Sequence, residues 1–360
     1  MTNPTKKYYF RSIEHFVLTG VLILSGCSLP QRTHTIKIGL ALYDAHDTFI
    51  SEFSTHFNDN IKESSEDVQL ESYDASGSQY TQNTQVAQLI DNGCDVLCIN
   101  PVDRTAPGKM IELARENNIP IIFFNREPVE EDLKQWNRIY YIGSSAKGSG
   151  TLQGEAAADY LKTHPDADRN RDGVIQYILL EGEPGHQDSI MRSEESVETL
   201  EEKGYVLEKT DYAIANWSRQ QAQTKITQML DKHIELILSN NDDMAAGAVS
   251  AYEQAGIPRT ERPVIIGFDG TSVGLELMKN EQMAGTVYNN SNIQADMMFQ
   301  LASTLARNEP LTDFHLEKDR RIYIPYRKIT PDVLDDFLQE HDHPAEDPSS
   351  FNSYIHPTRQ

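Results

Sequence analysis

Polar side chains with paired hydrogen-bonding groups follow one apolar run of strand length after another in this sequence. Aspartate, asparagine, histidine and arginine predominate among them, and their planar groups can make two hydrogen bonds at once. The set comprises Asp44, His46, Asp47, Asn100, Asn125, Arg126, Glu183, His186, Asp188, Arg192, Asn240, Asn241, Asp242, Asp269, Asn289 and Asn290. Taken alone, each has the position of a helix cap. The recurrence of the pattern favours a shared ligand site.

The chemistry of this set suits the hydroxyls of a sugar ring. A carboxylate accepts hydrogen bonds from two neighbouring hydroxyls, whereas asparagine, arginine and histidine donate to hydroxyl oxygens. The apolar C–H faces of a sugar pack against aromatic rings, for which Phe49 and Trp217 are the candidates. A core position remains open for both on the residues alone. The sequence has no evident phosphate cradle.

A second group of oxygen-bearing residues lies between positions 168 and 176. It matches the start of an EF-hand loop, with side-chain ligands at positions 1, 3, 5 and 9, glycine at position 6 and a backbone carbonyl at position 7. These are Asp168, Asn170, Asp172, Gln176, Gly173 and Val174. Position 12 is Leu179 instead of glutamate. The spacing therefore leaves a calcium loop and a polar turn both open.

Apolar runs alternate with amphipathic segments along most of the chain. The predicted strands are Ile36–Tyr43, Val96–Ile99, Ile119–Phe124, Val174–Leu180, Leu236–Leu238, Val264–Phe268 and Gly285–Tyr288. The predicted helices include Gln82–Asp91, Ala106–Asn117, Gln220–Lys232 and Met244–Ala255. This alternation indicates parallel sheets covered on both faces, with more strands than one open sheet commonly holds. Two doubly wound α/β lobes are expected, with ligands beyond the carboxyl ends of the strands.

Composition agrees with this architecture and argues against nucleic-acid binding. A chain of 360 residues with 38% apolar residues can form two ordinary domains. Acidic residues outnumber basic ones by 55 to 32, so the net charge of −23 opposes binding to a phosphate backbone.

Taken in order, these motifs resemble the bacterial D-galactose/D-glucose-binding proteins, which are type 1 periplasmic binding proteins and receptors of sugar ABC importers. The resemblance extends from about Ile36 to Phe337. Its most specific segments are Phe123–Pro128, Glu181–His186 followed by Asp188 and Arg192, Leu238–Asp242 and Ala284–Val287. It implies two lobes joined by a three-segment hinge and a role without catalysis.

The resemblance also implies which residues bind the sugar. Phe49 and Trp217 would lie on opposite faces of the pyranose, Asp188 would meet the anomeric hydroxyl, and Asp47 would meet the hydroxyl at C4. The remaining implied contacts are Asn125, His186, Arg192, Asn241, Asp269 and Asn289. Two positions differ from the family, which usually has lysine at Arg126 and proline at Gln187. Since Arg and Lys are not interchangeable, affinity is affected more than ligand class.

The family uses a nine-residue calcium loop completed by a distant glutamate, which corresponds here to Glu235. The resemblance therefore implies a structural Ca²⁺ held by Asp168, Asn170, Asp172, the Val174 carbonyl, Gln176 and Glu235.

The domain boundaries follow from the same resemblance. One lobe is expected to comprise residues 36–144 and 290–323, and the other residues 145–289 and 324–339. The chain would then cross between lobes near Ser144, near Asn290 and near Tyr323–Pro325. Residues 340–360, rich in His, Pro, Asp and Ser, are expected to form a disordered tail.

The N-terminus has the pattern of an export signal. Lys6, Lys7 and Arg11 precede a short apolar stretch, and the ending Leu24–Cys27 resembles a bacterial lipobox. Residues 1–26 are expected to be a lipoprotein signal peptide, Cys27 the lipidated residue and residues 27–35 a linker. Removing residues 1–26 takes away three basic residues and one acidic residue and gives a net charge of −25.

We therefore expect an exported, lipid-anchored monomer, in the periplasm or at the cell surface, that delivers glucose or galactose to the membrane subunits of an ABC importer. A chemoreceptor is a second candidate partner. The alternative within this class is a receptor for ribose, xylose or a furanosyl signal molecule. A glycosidase using Asp47 and Asp188 is a rival. A sugar-responsive repressor is another, but it requires a basic helix-turn-helix where the lipobox lies.

Overall fold

The computed structural model describes Met1 and residues 35–342, which form alternating strands and helices. The first part comprises β1 (Ile36–Leu42), α1 (Thr48–Glu63), β2 (Val68–Asp74), α2 (Gln79–Asp91), β3 (Val96–Ile99), α3 (Gly108–Glu116), β4 (Ile121–Phe124), α4 (Glu130–Leu133) and β5 (Ile139–Gly143). The second part comprises α5 (Ser149–Thr163), β6 (Ile175–Glu181), α6 (Gln187–Glu202), β7 (Leu207–Ile214), α7 (Arg219–Thr227), β8 (Leu236–Ser239), α8 (Asp242–Gln254), β9 (Val264–Ile266), α9 (Ser272–Lys279) and β10 (Thr286–Tyr288). The last part comprises α10 (Ser291–Ala306), β11 (Arg321–Tyr323), β12 (Arg327–Ile329) and α11 (Pro331–Asp342).

These elements build two lobes, each around a parallel sheet. The first sheet has the order β11-β5-β4-β3-β1-β2 and the second has the order β7-β6-β8-β9. Parallel bridges from Ile266 to Gly285 and from Asp269 to Tyr288 place β10 beside β9, and β12 pairs with β10 in the antiparallel direction. The prediction of two doubly wound α/β lobes is confirmed.

Helix α1 shows how sequence dictates the packing that supports the first lobe. Its apolar residues Phe49, Ile50, Phe53 and Phe57 recur at helical spacing and are all buried. The ring of Phe53 stacks on Phe124 of β4 with 4.6 Å between centroids. The N-terminus of α1 is thereby held against the carboxyl ends of the strands.

The chain passes between the lobes at three places. It leaves the first sheet after β5, returns after β10 to form α10 against the first core, and crosses again between β11 and β12. At one crossing the Ser144 hydroxyl donates to the Asn289 side chain over 2.9 Å. The lobes are therefore connected by three adjacent segments of backbone.

Several predicted boundaries were wrong by a few residues. The strand predicted from Ile119 begins at Ile121, because the Ile119 amide instead donates to Ala114 at the end of α3 and Pro120 has no N–H group. The strand predicted to reach Phe268 ends at Ile266.

Helix α11 also extends further than expected. It continues to Asp342, three residues into the segment predicted to be a disordered tail. The helix is anchored by Phe337, whose ring lies edge-on to Tyr288, and by an ion pair between Glu340 and Arg327. The predicted signal peptide, Cys27 and residues 343–360 lie outside the described residues. Within the described part, none of the helices has the length and apolarity needed to cross a membrane.

Candidate ligand-binding site

A pocket of about 350 Å³ lies between the two lobes at the carboxyl ends of their strands. The first lobe contributes Tyr43, Asp47, Phe49, Asn125 and Arg126, and the second contributes His186, Asp188, Arg192, Trp217, Asn241 and Asp269. Nine of the ten residues predicted to contact a sugar are thus brought together. This volume includes space that is open to solvent.

Asn289 is the predicted site residue that does not line this pocket. Its Oδ1 accepts hydrogen bonds from the Ser144 hydroxyl and from Gln294 Nε2 at 2.9 and 2.6 Å. Its side chain also hydrogen-bonds Asp269. Asn289 therefore ties the crossing segments together behind the pocket and orients Asp269.

Three pocket residues also cap helices. Asp47 Oδ1 accepts from the Ile50 amide at 3.0 Å, and Asn241 Oδ1 accepts from the Met244 amide at 2.9 Å. His186 Nδ1 accepts from the Asp188 amide at 3.2 Å, which leaves the other ring nitrogen to carry the proton. The capping and ligand interpretations of strand-end residues are therefore compatible, because one side chain can cap a helix and also line the pocket.

Arg192 is the centre of a charged cluster on the second lobe. Its Nη2 lies 3.3 Å from Asp188 Oδ2, its Nη1 lies 3.8 Å from Asp269 Oδ1, and Nη1 also donates to the Asn240 carbonyl. The guanidinium packs 3.6 Å from the centre of the Phe268 ring. The side chain is only 4% exposed, so the arginine is fixed in position by contacts on several sides.

Burial determines the protonation tendencies in the pocket. It raises the pKa values of the Asp188 and Asp269 carboxyls, an effect that the positive charge of Arg192 opposes. Burial also lowers the pKa of His186 well below its usual value, and the nearby arginines lower it further. The neutral imidazole and the desolvated carboxylates both gain from hydrogen bonds to a ligand's hydroxyls.

Trp217 is held by an unusual stretch of backbone. Asn216 and Trp217 are consecutive residues with positive φ, 48° and 62°. The indole ring lies against Gly182, where an added Cβ would be 2.2 Å from the ring atoms. Only glycine fits there, which explains its place in the segment Glu181–His186.

Two polar atoms in this region lack a hydrogen-bond partner among the described residues. They are Trp217 Nε1 and Arg192 Nε, and both are buried. Buried donors without a partner cost free energy. Both donors belong to side chains that line the pocket.

The sequence analysis missed two contributions from the first lobe. The Arg126 guanidinium lies 3.6 Å from the centre of the Tyr43 ring, and the Tyr43 hydroxyl donates to Asp47 Oδ2 at 2.6 Å. Arg126 was predicted only as one of the strand-end polar residues and as a departure from the family, and Tyr43 was assigned to a strand. Their position at the end of a strand was the sequence signal that could have placed both residues in the site. The stacking of Arg126 on Tyr43 depends on the fold and could not be predicted from the sequence.

Contacts between the lobes close one side of the pocket. Arg126 makes two hydrogen bonds of 3.0 Å to the Glu183 carboxylate, and Arg104 Nη2 donates to Gln187 Oε1 at 2.8 Å. We call these two pairs the latch. Both positions that depart from the family, Arg126 and Gln187, belong to it. The two lobes are therefore in a closed arrangement.

The predicted metal loop and Glu235 are adjacent in the structure. Glu235 is 1% exposed, and its Oε1 and Oε2 accept from the amides of Arg169 and Gln176. Asp168 accepts from the amides of Asp172 and Gly173, as expected of a tight turn. The surrounding donor set consists of carboxylate, amide and carbonyl oxygens, which is the set that Ca²⁺ prefers. These residues therefore fit a calcium ion.

Comparison with known proteins agrees with this geometry. A family model described as the periplasmic binding protein domain matches residues 38–310. The chain belongs to the periplasmic binding protein family. Periplasmic binding proteins act outside the cytoplasmic membrane, so this membership places the chain there.

Individual periplasmic binding proteins resemble the chain over most of its length. The D-galactose/methyl-galactoside binding periplasmic protein MglB of Haemophilus influenzae is 35% identical over 310 residues, which cover 84% of this chain and 92% of that protein. A putative rhizopine-binding protein of Rhizobium meliloti is 29% identical and covers 89% of this chain and 97% of its own length. These relatives are binding proteins, which supports the prediction that this chain is not an enzyme.

A solved structure shows the same architecture. The ABC transporter solute binding protein of Bacillus halodurans with bound myo-inositol superposes with a TM-score of 0.72 at 25% identity, covering 86% of this chain and 99% of that one.

Proposed function

We propose that this periplasmic binding protein captures D-galactose or D-glucose between its lobes and delivers the sugar to the membrane subunits of an ABC importer. The observation that carries the proposal is the pocket itself, which is lined by carboxylates, amides and guanidinium groups together with Phe49 and Trp217 from opposite lobes. The resemblance to a D-galactose/methyl-galactoside binding protein supports the same ligand class.

Each group has a defined task under this proposal. Phe49 and Trp217 pack against the C–H faces of the pyranose. Asp188 accepts from the anomeric hydroxyl, while Arg192 and His186 donate to neighbouring oxygens. The Tyr43 hydroxyl donates a 2.6 Å hydrogen bond to the Asp47 carboxylate and holds it in place, so Asp47 presents a fixed acceptor to the hydroxyl at C4. Binding is reversible and involves no covalent step.

Another polyol is the second candidate ligand. The similar protein from Bacillus halodurans holds myo-inositol, and a ribose import binding protein of Bacillus subtilis is 25% identical over 289 residues. Arg126 also departs from the family pattern within the pocket. Ribose, xylose or a furanose would meet the same hydrogen-bonding groups.

The proposal extends to location and partners. Cys27 anchors the protein to a membrane through its lipid, and the lobes act as a monomer. The closed form is the one that the importer, and a chemoreceptor where one exists, would recognise. A structural Ca²⁺ held by the loop Asp168–Gln176 and Glu235 completes the proposed holoprotein.

Titration calorimetry with a panel of monosaccharides tests the assignment. Glucose or galactose is expected to release heat and raise the melting temperature, and Trp217 fluorescence is expected to change because the sugar packs on its ring. Ribose, xylose and myo-inositol serve as comparisons. If millimolar glucose and galactose give neither heat nor stabilisation, the proposal fails.

Sugar binding is also expected to change the distance between the lobes. Because both lobes contact the ligand, it binds the closed form better and shifts the population towards it. The radius of gyration from small-angle scattering is expected to decrease on addition of sugar. An unchanged profile at saturating sugar contradicts closure around the ligand.

The variant Glu183→Gln tests how much the latch contributes to sugar binding, and titration calorimetry measures the affinity. The Glu183 side chain is 36% exposed, so its ion pair with Arg126 contributes about 1 kcal/mol to the stability of the closed form. Loss of this pair is therefore expected to weaken sugar binding about fivefold. Glu194→Gln, an exposed glutamate on α6, is the matched control and is expected to have no effect.

A further inference from the structure

A fully buried carboxylate of the second lobe lies behind the pocket and has no task under the proposed function. Asp242 is the first residue of α8, next to the pocket residue Asn241, and its side chain is 0% exposed. A Cβ added at Gly267 or at Gly274 would lie 2.2 Å from an oxygen of this carboxylate. The backbone around Asp242 is therefore shaped to hold a carboxyl group.

Three hydrogen-bond donors from two other segments converge on Asp242. Its Oδ2 accepts from the Thr271 amide at 2.8 Å and from the Thr271 hydroxyl at 3.1 Å. Its Oδ1 accepts from the Thr286 hydroxyl at 2.8 Å. Thr271 caps the N-terminus of α9, and Thr286 is the first residue of β10. An ionised carboxylate only accepts hydrogen bonds, so the three donors match this form.

The same network supports the backbone of the pocket residue Asp269. Asp269 has a φ of 100°, which a residue with a side chain adopts only where its surroundings impose it. Its amide donates to the Val287 carbonyl at 2.8 Å, and the next amide, that of Gly270, donates to the Thr286 hydroxyl at 3.2 Å. Asp242 orients this hydroxyl, because it accepts the hydroxyl proton.

We propose that Asp242 is a positioning residue that holds, through Thr286, the turn at Asp269 in its sugar-binding geometry. This inference rests on the proposed function, in which Asp269 contacts the sugar. In that geometry Asp269 lines the pocket, and its Oδ1 lies 3.8 Å from Nη1 of Arg192. Because the turn is fixed before the sugar arrives, binding does not bear the cost of ordering it.

Ionisation of Asp242 gives this role a pH dependence. Burial raises the pKa of Asp242 to about 7, an effect that the hydrogen bonds from Thr286 and Thr271 oppose. The negative charge of Asp243 on α8 raises the pKa further, and Asp242 in turn raises the pKa of Asp269. The ionised form accepts from all three donors, so the turn is held best above the pKa. Sugar affinity is therefore expected to fall as the pH is lowered through about 7.

Titration calorimetry with glucose and galactose between about pH 6 and about pH 8 tests this role. The unmodified protein is expected to bind its sugar about fivefold more tightly at the upper end of this range. Asp242→Asn keeps the volume of the side chain but cannot accept from all three donors. It is expected to bind about tenfold more weakly at about pH 8 and to lose the pH-dependent step. If the step persists in Asp242→Asn, another group such as Asp269 causes it and the proposal is wrong.

Thermal melting without sugar separates positioning from a contribution to stability. Since folding raises the pKa of Asp242, the stability due to this group falls as the pH rises from about 4 towards about 7. Positioning predicts the opposite trend for sugar affinity. An affinity that falls with rising pH, together with the stability, contradicts the proposal.

Two variants of Thr286 test the link to Asp269 without changing a charge, and they also decide the question if Asp242→Asn does not fold. Thr286→Val keeps the shape of the side chain but has no hydroxyl, and it is expected to weaken sugar binding about fivefold. Thr286→Ser keeps the hydroxyl and is expected to recover most of the affinity. Equal affinities of the two variants overturn this inference and leave the proposed function standing. If the unmodified protein binds neither glucose nor galactose, the proposed function itself is overturned.

Discussion

The variant Asp188→Ala is expected to bind glucose and galactose at least a hundredfold more weakly than the unmodified protein. Asp188 is the nearer of the two carboxylates beside Arg192, and the guanidinium is nearly fully buried. Truncating one partner of a hydrogen-bonded charge pair in a desolvated binding site costs about 2–5 kcal/mol of binding free energy, and each 1.4 kcal/mol corresponds to a factor of ten. The proposed acceptor of the anomeric hydroxyl is lost at the same time. Titration calorimetry measures the change directly.

Two further variants make this result interpretable. Asp188→Asn retains the volume of the side chain and one acceptor, so its affinity for sugar is expected to lie between that of the unmodified protein and that of Asp188→Ala. Glu194→Ala lies on the same helix at an exposed position and is expected to bind sugar normally. A decrease of less than tenfold for Asp188→Ala contradicts the role assigned to this carboxylate.

Removal of calcium is expected to lower the melting temperature by about 5–10 °C. A ligand present at 100 times its dissociation constant stabilises the folded state by about 2.7 kcal/mol, and each kcal/mol shifts the melting temperature of lobes of this size by about 2–4 °C. The ion would connect the loop Asp168–Gln176 to Glu235 at the start of β8. Calorimetric melting with and without EDTA provides the measurement.

Adding metals back distinguishes calcium from a general charge effect. Ca²⁺ is expected to restore the melting temperature fully, whereas Mg²⁺, which requires a tighter octahedral shell, restores it only in part. Glu235→Gln is expected to reproduce the effect of EDTA while sugar preference stays the same, and Glu202→Gln on the exposed face of α6 is the control. If metal analysis finds no calcium and EDTA leaves the melt unchanged, the loop is a polar turn.

Apolar runs predicted some strands closely, but uniform burial did not guarantee a correct prediction. The predicted bounds of β3, and of β1 with its exposed Lys37, agree with the structure to within one residue, whereas the fully buried β5 was not predicted. The edge strands β2 and β7 were missed because their exposed residues are polar and interrupt the run. β12 has three residues and pairs in the antiparallel direction, so neither its length nor its neighbour could be predicted from a local pattern.

The sequence predicted those residues of the candidate site that follow the ends of strands. Asn125 comes directly after a strand, Asp47 and His186 each lie five residues beyond the end of one, and parallel strands bring such residues to one edge. The pairing of Arg126 with Glu183 depends on how the two lobes face each other, which no local pattern encodes. Asn289 lies behind the pocket because the crossing segments take up its side chain.

Asp47, His186 and Asn241 each cap a helix and line the pocket, and this combination has an evolutionary consequence. A substitution that retunes ligand preference at these positions also removes a helix cap, which costs about 0.5–2 kcal/mol of stability. Selection for a new nutrient would therefore act under a stability constraint at these three residues. Neither Asn125 nor Arg126 caps a helix, so substitutions there do not incur this capping penalty. The departure from the family at Arg126 falls at a position that is constrained instead by its contacts with Tyr43 and Glu183.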